Sequence, residues 1–302
     1  MGEPATASPA LARRALRAAT DPFARVVSSL AHPGVAVSRL RDAATAQVRE
    51  LTAAAATIGL WPLGLAAPRL EGGDAPTGSL RHRRRAPGDV PVLLVHGYGA
   101  NRSNWHFVER RLRAAGFGSV QAVNYNPLTS DLPGLAQWFA GEVSDLCERC
   151  GADEIHVVGH SLGGVVARYA IQVLSVGGVA TCVTVASPHG GVTLARPVRP
   201  LPGGLGAVAR QLHPDAPEMV LLRSSARPLP TRFVAVAGGA DLIVPSRRAL
   251  ILEPELGATN LVVPHHGHLS LLFSTSLADV LAHQLLVDDP PVVGDQGLPT
   301  AA

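Results

Sequence analysis

A serine flanked by glycines lies between a strand-like run and a helix-like run of the sequence. The segment Gly159-His160-Ser161-Leu162-Gly163-Gly164 follows the apolar run EIHVVG (154–159) and precedes an apolar helical pattern. A serine nucleophile needs a sharp turn from strand to helix that lifts its hydroxyl above the sheet, and glycines two residues away let the two elements approach closely. The helix N-terminus also places backbone N–H groups beside any anion that forms. Ser161 is therefore the candidate nucleophile.

A second glycine-rich turn follows the strand-like run PVLLV (91–95). A serine hydroxyl that attacks an ester needs hydrogen-bond donors for the oxyanion as well as a base. We expect the backbone N–H groups of Tyr98 and Leu162 to supply these donors. We expect His96 to hold the turn by a structural hydrogen bond rather than to take part in the chemistry. The residues predicted to support the site are His96, Gly97, Gly159 and Gly163.

The acid that would orient the base is predicted after another strand-like run, RFVAVAG (232–238). Asp241 follows this run at the carboxyl end of a strand, where α/β sheets build their sites. Asp215 lies in a proline-flanked loop and Asp279 on a helix, so both are poorer candidates. A solvated turn aspartate is the alternative interpretation of Asp241.

Histidines crowd the loop after the strand-like run NLVVP (260–264), at positions 265, 266 and 268. Only one of them can act as the general base. His268 directly precedes a helical pattern and is favoured over His266. The order Ser161, Asp241, His268 along the chain is typical of a nucleophile, acid and base carried by a strand–turn–helix fold.

Five stretches in the same order resemble the α/β-hydrolases of the bacterial triacylglycerol lipase type. They are PVLLVHGYGANRSNW (91–105), HVVGHSLGGVVARY (156–169), ASPHGG (186–191), GGADLIVP (238–245) and HGHLSLL (266–272). The resemblance covers roughly residues 91–273. It implies a catalytic triad of Ser161, Asp241 and His268, and oxyanion donors at Tyr98 and Leu162.

The mechanism predicted from this resemblance is hydrolysis of lipid carboxylic esters through an acyl-enzyme, with no metal or organic cofactor. A short-chain carboxylesterase or thioesterase would share the same parts. A non-catalytic, hydrolase-like protein that interacts with membranes is the alternative from another class.

The elements that must position these residues begin near Val90, where short β-rich runs alternate with helical runs. This alternation predicts parallel βαβ units. Strands are predicted at 91–95, 119–125, 154–159, 179–187, 232–238 and 260–264, and helices at 105–115, 133–148, 162–176 and 269–287. The predicted fold class is α/β, with the α/β-hydrolase fold: a mostly parallel central sheet, helices on both faces, a short cap insertion and an N-terminal helical segment.

The predicted domain organisation has three parts: an N-terminal segment with a linker (1–85), a catalytic domain (86–288) and a loose tail (289–302). An insertion at about 191–230 lies where this fold carries its cap. Its apolar runs LGAVARQL (205–212) and MVLL (219–222) suit an acyl groove or a lid, and ordinary loop packing is the alternative.

The N-terminal segment is basic, because residues 1–90 carry 12 arginines against 7 acids, whereas residues 91–302 carry 14 against 16. Amphipathic helices are predicted over 16–30 and 37–51. The uncharged run 51–68 could pack on the catalytic domain, lie at a membrane interface or span a membrane. The arginines at 81, 83, 84 and 85 suit either an anionic surface, giving peripheral membrane contact, or a solvated linker.

Composition excludes several other classes. The chain has 302 residues, 47% of them apolar, and its net charge of +3 is too small to argue nucleic-acid binding. Its three cysteines cannot form a disulfide scaffold, and the pair Cys147 and Cys150 lacks a second pair at zinc spacing. The first 30 residues show no standard signal peptide, so a cytoplasmic or membrane-associated location is expected.

Overall fold

The computed structural model describes residues 33–65, 87–193 and 206–287, with side chains described from residue 41 and from residue 88 in the first two ranges. Several predicted features lie outside these residues: the helix at 16–30, the arginines at 81–85, the first part of the cap and the tail. The chain divides into two compact units, Met1–Gln47 and Val48–Ala302. The predicted boundary after residue 85 also falls outside the described residues and stays a prediction.

Within the described ranges, six strands form one sheet. They are β1 Val92–Val95, β2 Val120–Val123, β3 Ile155–His160, β4 Val179–Val185, β5 Arg232–Gly238 and β6 Thr259–Val263. Their order across the sheet is β2-β1-β3-β4-β5-β6, and every neighbouring pair is parallel. The predicted mostly parallel sheet is confirmed.

The α-helices of the described residues are α1 Pro33–Leu60, α2 His106–Ala114, α3 Leu132–Cys150, α4 Leu162–Gln172, α5 Ala207–Gln211, α6 Pro217–Ser224, α7 Ser246–Ala249 and α8 Thr275–Leu286. Short 3-10 helices lie at Trp61–Gly64, Pro87–Asp89, Arg102–Trp105, Pro254–Leu256 and Ser270–Phe273. Local capping explains the limits of α3. The Asp131 carboxylate accepts a hydrogen bond from the Gly134 N–H at 2.8 Å, and Gly151 ends the helix in the left-handed conformation.

Both faces of the sheet are covered, as the continuous apolar runs predict. Leu93 and Val157 belong to one buried cluster, and their chain neighbours Leu94 and Val158 belong to another. Successive side chains of a strand point to opposite faces, so one strand feeds two cores. Helices α3 to α6 contribute to the first core, and α2 and α8 contribute to the second.

The predicted single helix over 269–287 is wrong in one respect. The structure has a 3-10 helix at Ser270–Phe273 and a separate helix α8 that begins after Ser274. The Ser274 hydroxyl accepts a hydrogen bond from the Leu277 N–H at 3.3 Å, which makes this serine an N-cap. The break keeps the histidine loop independent of the long helix.

Helix α1 is present. However, the apolar side of the amphipathic helix predicted over 37–51, which includes Val48 and Leu51, is not its buried side. Val48 and Leu51 are exposed, whereas Ala53 is buried. Glu50 and Ala53 lie three residues apart and so share a face. Glu50 accepts hydrogen bonds from the Leu269 and Ser270 N–H groups, which belong to the same unit. The hydrogen bonds of Glu50, rather than the apolar side chains, thus mark the side of α1 that packs against the protein near residue 50. No helix within the described residues is long and apolar enough to cross a membrane.

Helix α4 lies so close to the sheet that glycine is required at its start. A Cβ atom added at Gly163 would lie 2.4 Å from the Val95 carbonyl oxygen and 2.5 Å from that of His96. A Cβ atom at Gly159 would lie 2.5 Å from the Gly164 Cα. These neighbours are backbone atoms and cannot rotate away.

Gly163→Ala should therefore lower the free energy of unfolding by about 2–3 kcal/mol, because α4 must move off the sheet. Urea unfolding measures the change. Gly141→Ala is the matched control, since Gly141 lies in helix α3 and a Cβ atom there meets nothing within 4 Å. The control should be neutral or stabilised by up to about 1 kcal/mol. Equal destabilisation of both variants would contradict the close-packing argument.

Candidate active site

The strand order places the predicted site residues at one edge of the sheet. The order reverses between β1 and β3, whose ends align as Val95 opposite Gly159. Ligands bind at such switch points in open α/β sheets. Strands β5 and β6 are also neighbours and end together, with Gly238 opposite Val263. The loops after these four strands carry Tyr98, Ser161, Asp241 and His268.

Ser161 occupies a strained turn between β3 and α4. Its backbone has φ 53° and ψ −120°, and its N–H donates to the Val185 carbonyl oxygen at 2.8 Å. A non-glycine residue with positive φ costs of order 1–3 kcal/mol and persists where surrounding contacts impose it. The position at the sheet edge fits the sharp turn predicted for a nucleophile.

Two hydrogen bonds connect the predicted nucleophile, base and acid. The Ser161 Oγ lies 3.0 Å from the His268 Nε2, and the His268 Nδ1 lies 2.8 Å from an Asp241 carboxylate oxygen. The other carboxylate oxygen accepts the N–H groups of Ile243 and Val244, both at 2.8 Å. An Nδ1–H that donates to the carboxylate leaves Nε2 free to accept the serine proton. The structure therefore brings all three residues together, with Asp241 and His268 buried.

The competing acids and bases are not brought to Ser161. The His266 side chain is half-buried, and its Nδ1 lies 2.8 Å from the Pro264 carbonyl oxygen. The Asp215 side chain is solvated and lies 3.8 Å from the imidazole of His213. Asp279 is exposed on helix α8.

The two predicted oxyanion donors lie in the loops after β1 and β3. Leu162 is the first residue of α4, so its N–H has no acceptor within the helix. In the part of the chain that the structure describes, neither the Tyr98 nor the Leu162 N–H donates a backbone hydrogen bond. The role of these amides as oxyanion donors remains a prediction.

His96 makes its contacts inside the protein. Its Nδ1 donates to the Gly97 carbonyl oxygen at 2.9 Å, its Nε2 accepts the Tyr125 N–H at 3.4 Å, and its ring stacks on Tyr125 with centroids 4.3 Å apart. Burial lowers the pKa of His96 to about 4. A neutral ring that bridges two loops serves the geometry of the turn.

His160 is a site residue that the sequence reasoning missed. Its Nε2 lies 3.0 Å from the His268 carbonyl oxygen, to which it donates, and the two rings have centroids 4.8 Å apart. Burial holds the pKa of His160 well below its usual value. Its place inside the glycine-rich serine motif was the available signal, but the motif does not say where the ring points.

The described residues contain no group of three or more His, Cys, Asp or Glu side chains arranged to hold a metal ion. The expectation that the chemistry needs no metal or organic cofactor stays a prediction.

Three of the solved structures with a similar fold are described as lipases. A monoacylglycerol lipase from Paleococcus ferrophilus aligns with a TM-score of 0.52 at 15% identity, over 65% of this chain and 95% of that one. The mature Bacillus licheniformis lipase BlEst2 aligns with a TM-score of 0.51 at 17% identity, over 67% and 94%. Aspergillus fumigatus lipase B aligns with a TM-score of 0.55 at 17% identity, over 68% and 54%.

The chain has the α/β-hydrolase fold. This confirms the fold that the resemblance of the sequence motifs implied. Residues 89–203 of this α/β-hydrolase-fold protein match the family described as "Putative serine esterase (DUF676)". That match contains Ser161 and Tyr98 and ends before Asp241.

A further similarity is to the dihydrolipoyllysine-residue acetyltransferase component of the acetoin cleaving system from Cupriavidus necator. The two are 30% identical, and the match covers 63% of this chain and 62% of that protein. This α/β-hydrolase-fold protein thus spans less than two thirds of that relative's length.

The buried histidines of the fold give a testable pH dependence of stability. Burial lowers the pKa of His96, His160 and His189 in the native protein. Below about pH 6.5 the unfolded chain binds protons that the native protein does not, so stability present above this pH is lost as the pH falls. For His96 the loss extends down to about pH 4, where the native ring also titrates.

We expect His96→Asn to make the unfolding free energy less dependent on pH between 6 and 4.5, by up to about 1.4 kcal/mol per pH unit. Urea unfolding at a series of pH values measures the slope. Between pH 7.5 and 8.5 the variant and the parent should run parallel, which serves as the internal control. Parallel curves down to pH 4.5 would show that His96 is not held neutral by burial.

Proposed function

We propose that this protein is a serine hydrolase that cleaves carboxylic esters of lipids. The observation that carries the proposal is the pair of hydrogen bonds from Ser161 to His268 and from His268 to Asp241. The match of residues 89–203 to the family described as "Putative serine esterase (DUF676)" supports the same class of reaction. So does the similarity of the fold to that of lipases. In the proposed site, the backbone amides of Tyr98 and Leu162 would supply the oxyanion donors that ester hydrolysis requires.

In the proposed mechanism, Ser161 Oγ attacks the ester carbonyl carbon while His268 Nε2 takes the hydroxyl proton. The Asp241 carboxylate stabilises the imidazolium and fixes the ring. The amides of Tyr98 and Leu162 donate hydrogen bonds to the negative oxygen of the tetrahedral intermediate. The alcohol leaves with the proton from His268, and an acyl-enzyme remains. Water then attacks this ester, with His268 again as the base, and releases the acid.

A lipid ester is the proposed substrate because exposed apolar residues lie beside the triad. Leu242 and Ile243 are 77% and 60% exposed and directly follow Asp241. In the described part of the cap, Val208 and Met219 are buried in the core, whereas Val220 and Leu221 face solvent. The cap helices α5 and α6 are thus anchored and still present apolar surface. Peripheral membrane contact through the N-terminal segment stays a prediction.

Ser161→Ala should lower kcat/KM for p-nitrophenyl butyrate by at least about 1,000-fold, because no other group can form the acyl-enzyme. A fluorophosphonate probe should label the parent protein and fail to label the variant. The matched control is Ser144→Ala, because Ser144 is an exposed serine of α3 whose hydroxyl donates to Glu148 of the same helix at 3.4 Å. Serine-independent turnover, or none in the parent on any ester, would overturn the hydrolase proposal.

The lipid preference is tested separately with p-nitrophenyl esters of two to twelve acyl carbons and with emulsified triglyceride. We expect kcat/KM to rise with chain length, by at most about fourfold per CH₂, because each buried CH₂ contributes up to about 0.8 kcal/mol. Activity confined to soluble short esters, with none on the emulsion, would reassign the protein to the short-chain carboxylesterases. Faster cleavage of acyl thioesters of the same length would favour a thioesterase.

A further inference from the structure

A carboxylate from the N-terminal segment holds the loop that carries the predicted base. Glu50 Oε1 accepts a hydrogen bond from the Leu269 N–H at 2.7 Å, and Oε2 accepts one from the Ser270 N–H at 3.0 Å. These two amides directly follow His268. They belong to the same compact unit as Glu50, from which they are more than 200 residues distant in the chain.

The contact is chemically specific. The Leu269 and Ser270 amides stand at the start of the 3-10 helix Ser270–Phe273, where N–H groups have no acceptor in the helix. A carboxylate satisfies both with charge-assisted bonds and opposes the positive end of the helix. The approach needs a glycine beside it, because a Cβ atom at Gly267 would lie 2.5 Å from Glu50 Oε2.

Neighbouring contacts strengthen this attachment. The Arg49 Nη1 donates to the His265 carbonyl oxygen at 3.3 Å. Within the loop, the Gly267 N–H donates to the Ser270 Oγ at 2.8 Å. The loop from His265 to Ser270 is thereby tied to α1 at both ends, with His268 between the two attachments.

The far end of the same segment contacts the loops beside the predicted oxyanion turn. The Asn101 Nδ2 donates to the Trp61 carbonyl oxygen at 2.8 Å, and the Asn124 Nδ2 donates to the Gly64 carbonyl oxygen at 2.7 Å. Asn101 lies three residues after Tyr98, and its Oδ1 also accepts the Ser103 N–H at 3.0 Å. Residues 50 and 61 are separated by about 17 Å of helix, at 1.5 Å per residue. A single stiff element therefore reaches both loops.

From these contacts we infer that Glu50 is a positioning residue for His268, and that residues 49–64 form a strap that fixes the histidine loop and the oxyanion loop. The inference rests on the proposed ester hydrolysis for its kinetic consequence. His160 holds the carbonyl of His268, Asp241 holds its ring, and Glu50 holds the next two amides. The base is thus held at its carbonyl oxygen, at its ring Nδ1 and through the two amides that follow it.

The kinetic test compares Glu50→Ala and Glu50→Gln with Leu51→Ala, an exposed neighbour on the same helix. Glu50→Ala should lower kcat for p-nitrophenyl butyrate by about 10- to 100-fold with KM changed less than about twofold, because a small displacement of a base costs rate rather than binding. Glu50→Gln should be intermediate, since one amide oxygen can accept only part of the pair. Leu51→Ala should match the parent.

A double-mutant cycle separates positioning from general loss of stability. Gly267→Ala should displace the Glu50 carboxylate and lower kcat to a similar degree. Once Glu50 is alanine, adding Gly267→Ala should lower kcat by less than about threefold, because the clash has been removed. Fully additive losses would show that Gly267 and Glu50 do not act through each other and would overturn the inference.

Amide hydrogen exchange tests the contact without relying on catalysis. In a Ser161→Ala background, Glu50→Ala should speed exchange of the Leu269 and Ser270 amides by at least about 10-fold and leave the β3 amides unchanged. Unchanged exchange together with unchanged kcat would overturn the inference while ester hydrolysis still stands. If the parent hydrolyses no ester, the proposed function fails, and faster exchange would still support the positioning contact.

Discussion

The close approach of α4 to β1 and β3 is the constraint on which the rest of the site depends. The strand must turn into the helix within one residue for Ser161 to stand above the sheet, and that turn forces Ser161 to a positive φ. The space is available only because Gly159 and Gly163 present no Cβ atom to the backbone that they face. The same approach sets the Leu162 N–H beside the hydroxyl, at the positive end of a helix. Strain at one residue is thus maintained by packing over several elements.

Burial gives the site its electrostatic character. His96 and His160 are enclosed and have lowered pKa values, so each stays neutral and offers one donor and one acceptor nitrogen. His268 differs in its partner, because its Nδ1 lies 2.8 Å from an Asp241 carboxylate oxygen. His96, His160 and His268, which all stand beside a glycine in the sequence, therefore differ in their hydrogen-bond partners. Their hydrogen-bond partners, rather than their residue type, separate scaffold from candidate base.

The N-terminal segment also contacts the loops of the candidate site, in addition to the membrane contact predicted from its charge. Its described part contributes two acceptors to the amides after His268 and two carbonyl oxygens to the loops near Tyr98. The exposed apolar residues Leu51 and Ile58 lie on the same helix. One side of α1 is thus polar in its contacts with the candidate site, while another presents apolar surface to solvent.

The fold class, the strands and the candidate triad could be predicted from the sequence, because each depends on local patterns. Apolar runs bounded by turns predict parallel strands, and a serine between glycines at a strand–helix junction predicts a nucleophile turn. Only the tertiary structure shows that the His268 ring meets Asp241 while the His266 ring contacts the Pro264 carbonyl oxygen, because the path of the loop after β6 sets where each ring points. It also decided the break at Ser274 and the contact of Glu50 with the histidine loop. A hydrogen bond between residues more than 200 positions apart leaves no periodic trace in a sequence, since only the folded path of the chain brings its partners together.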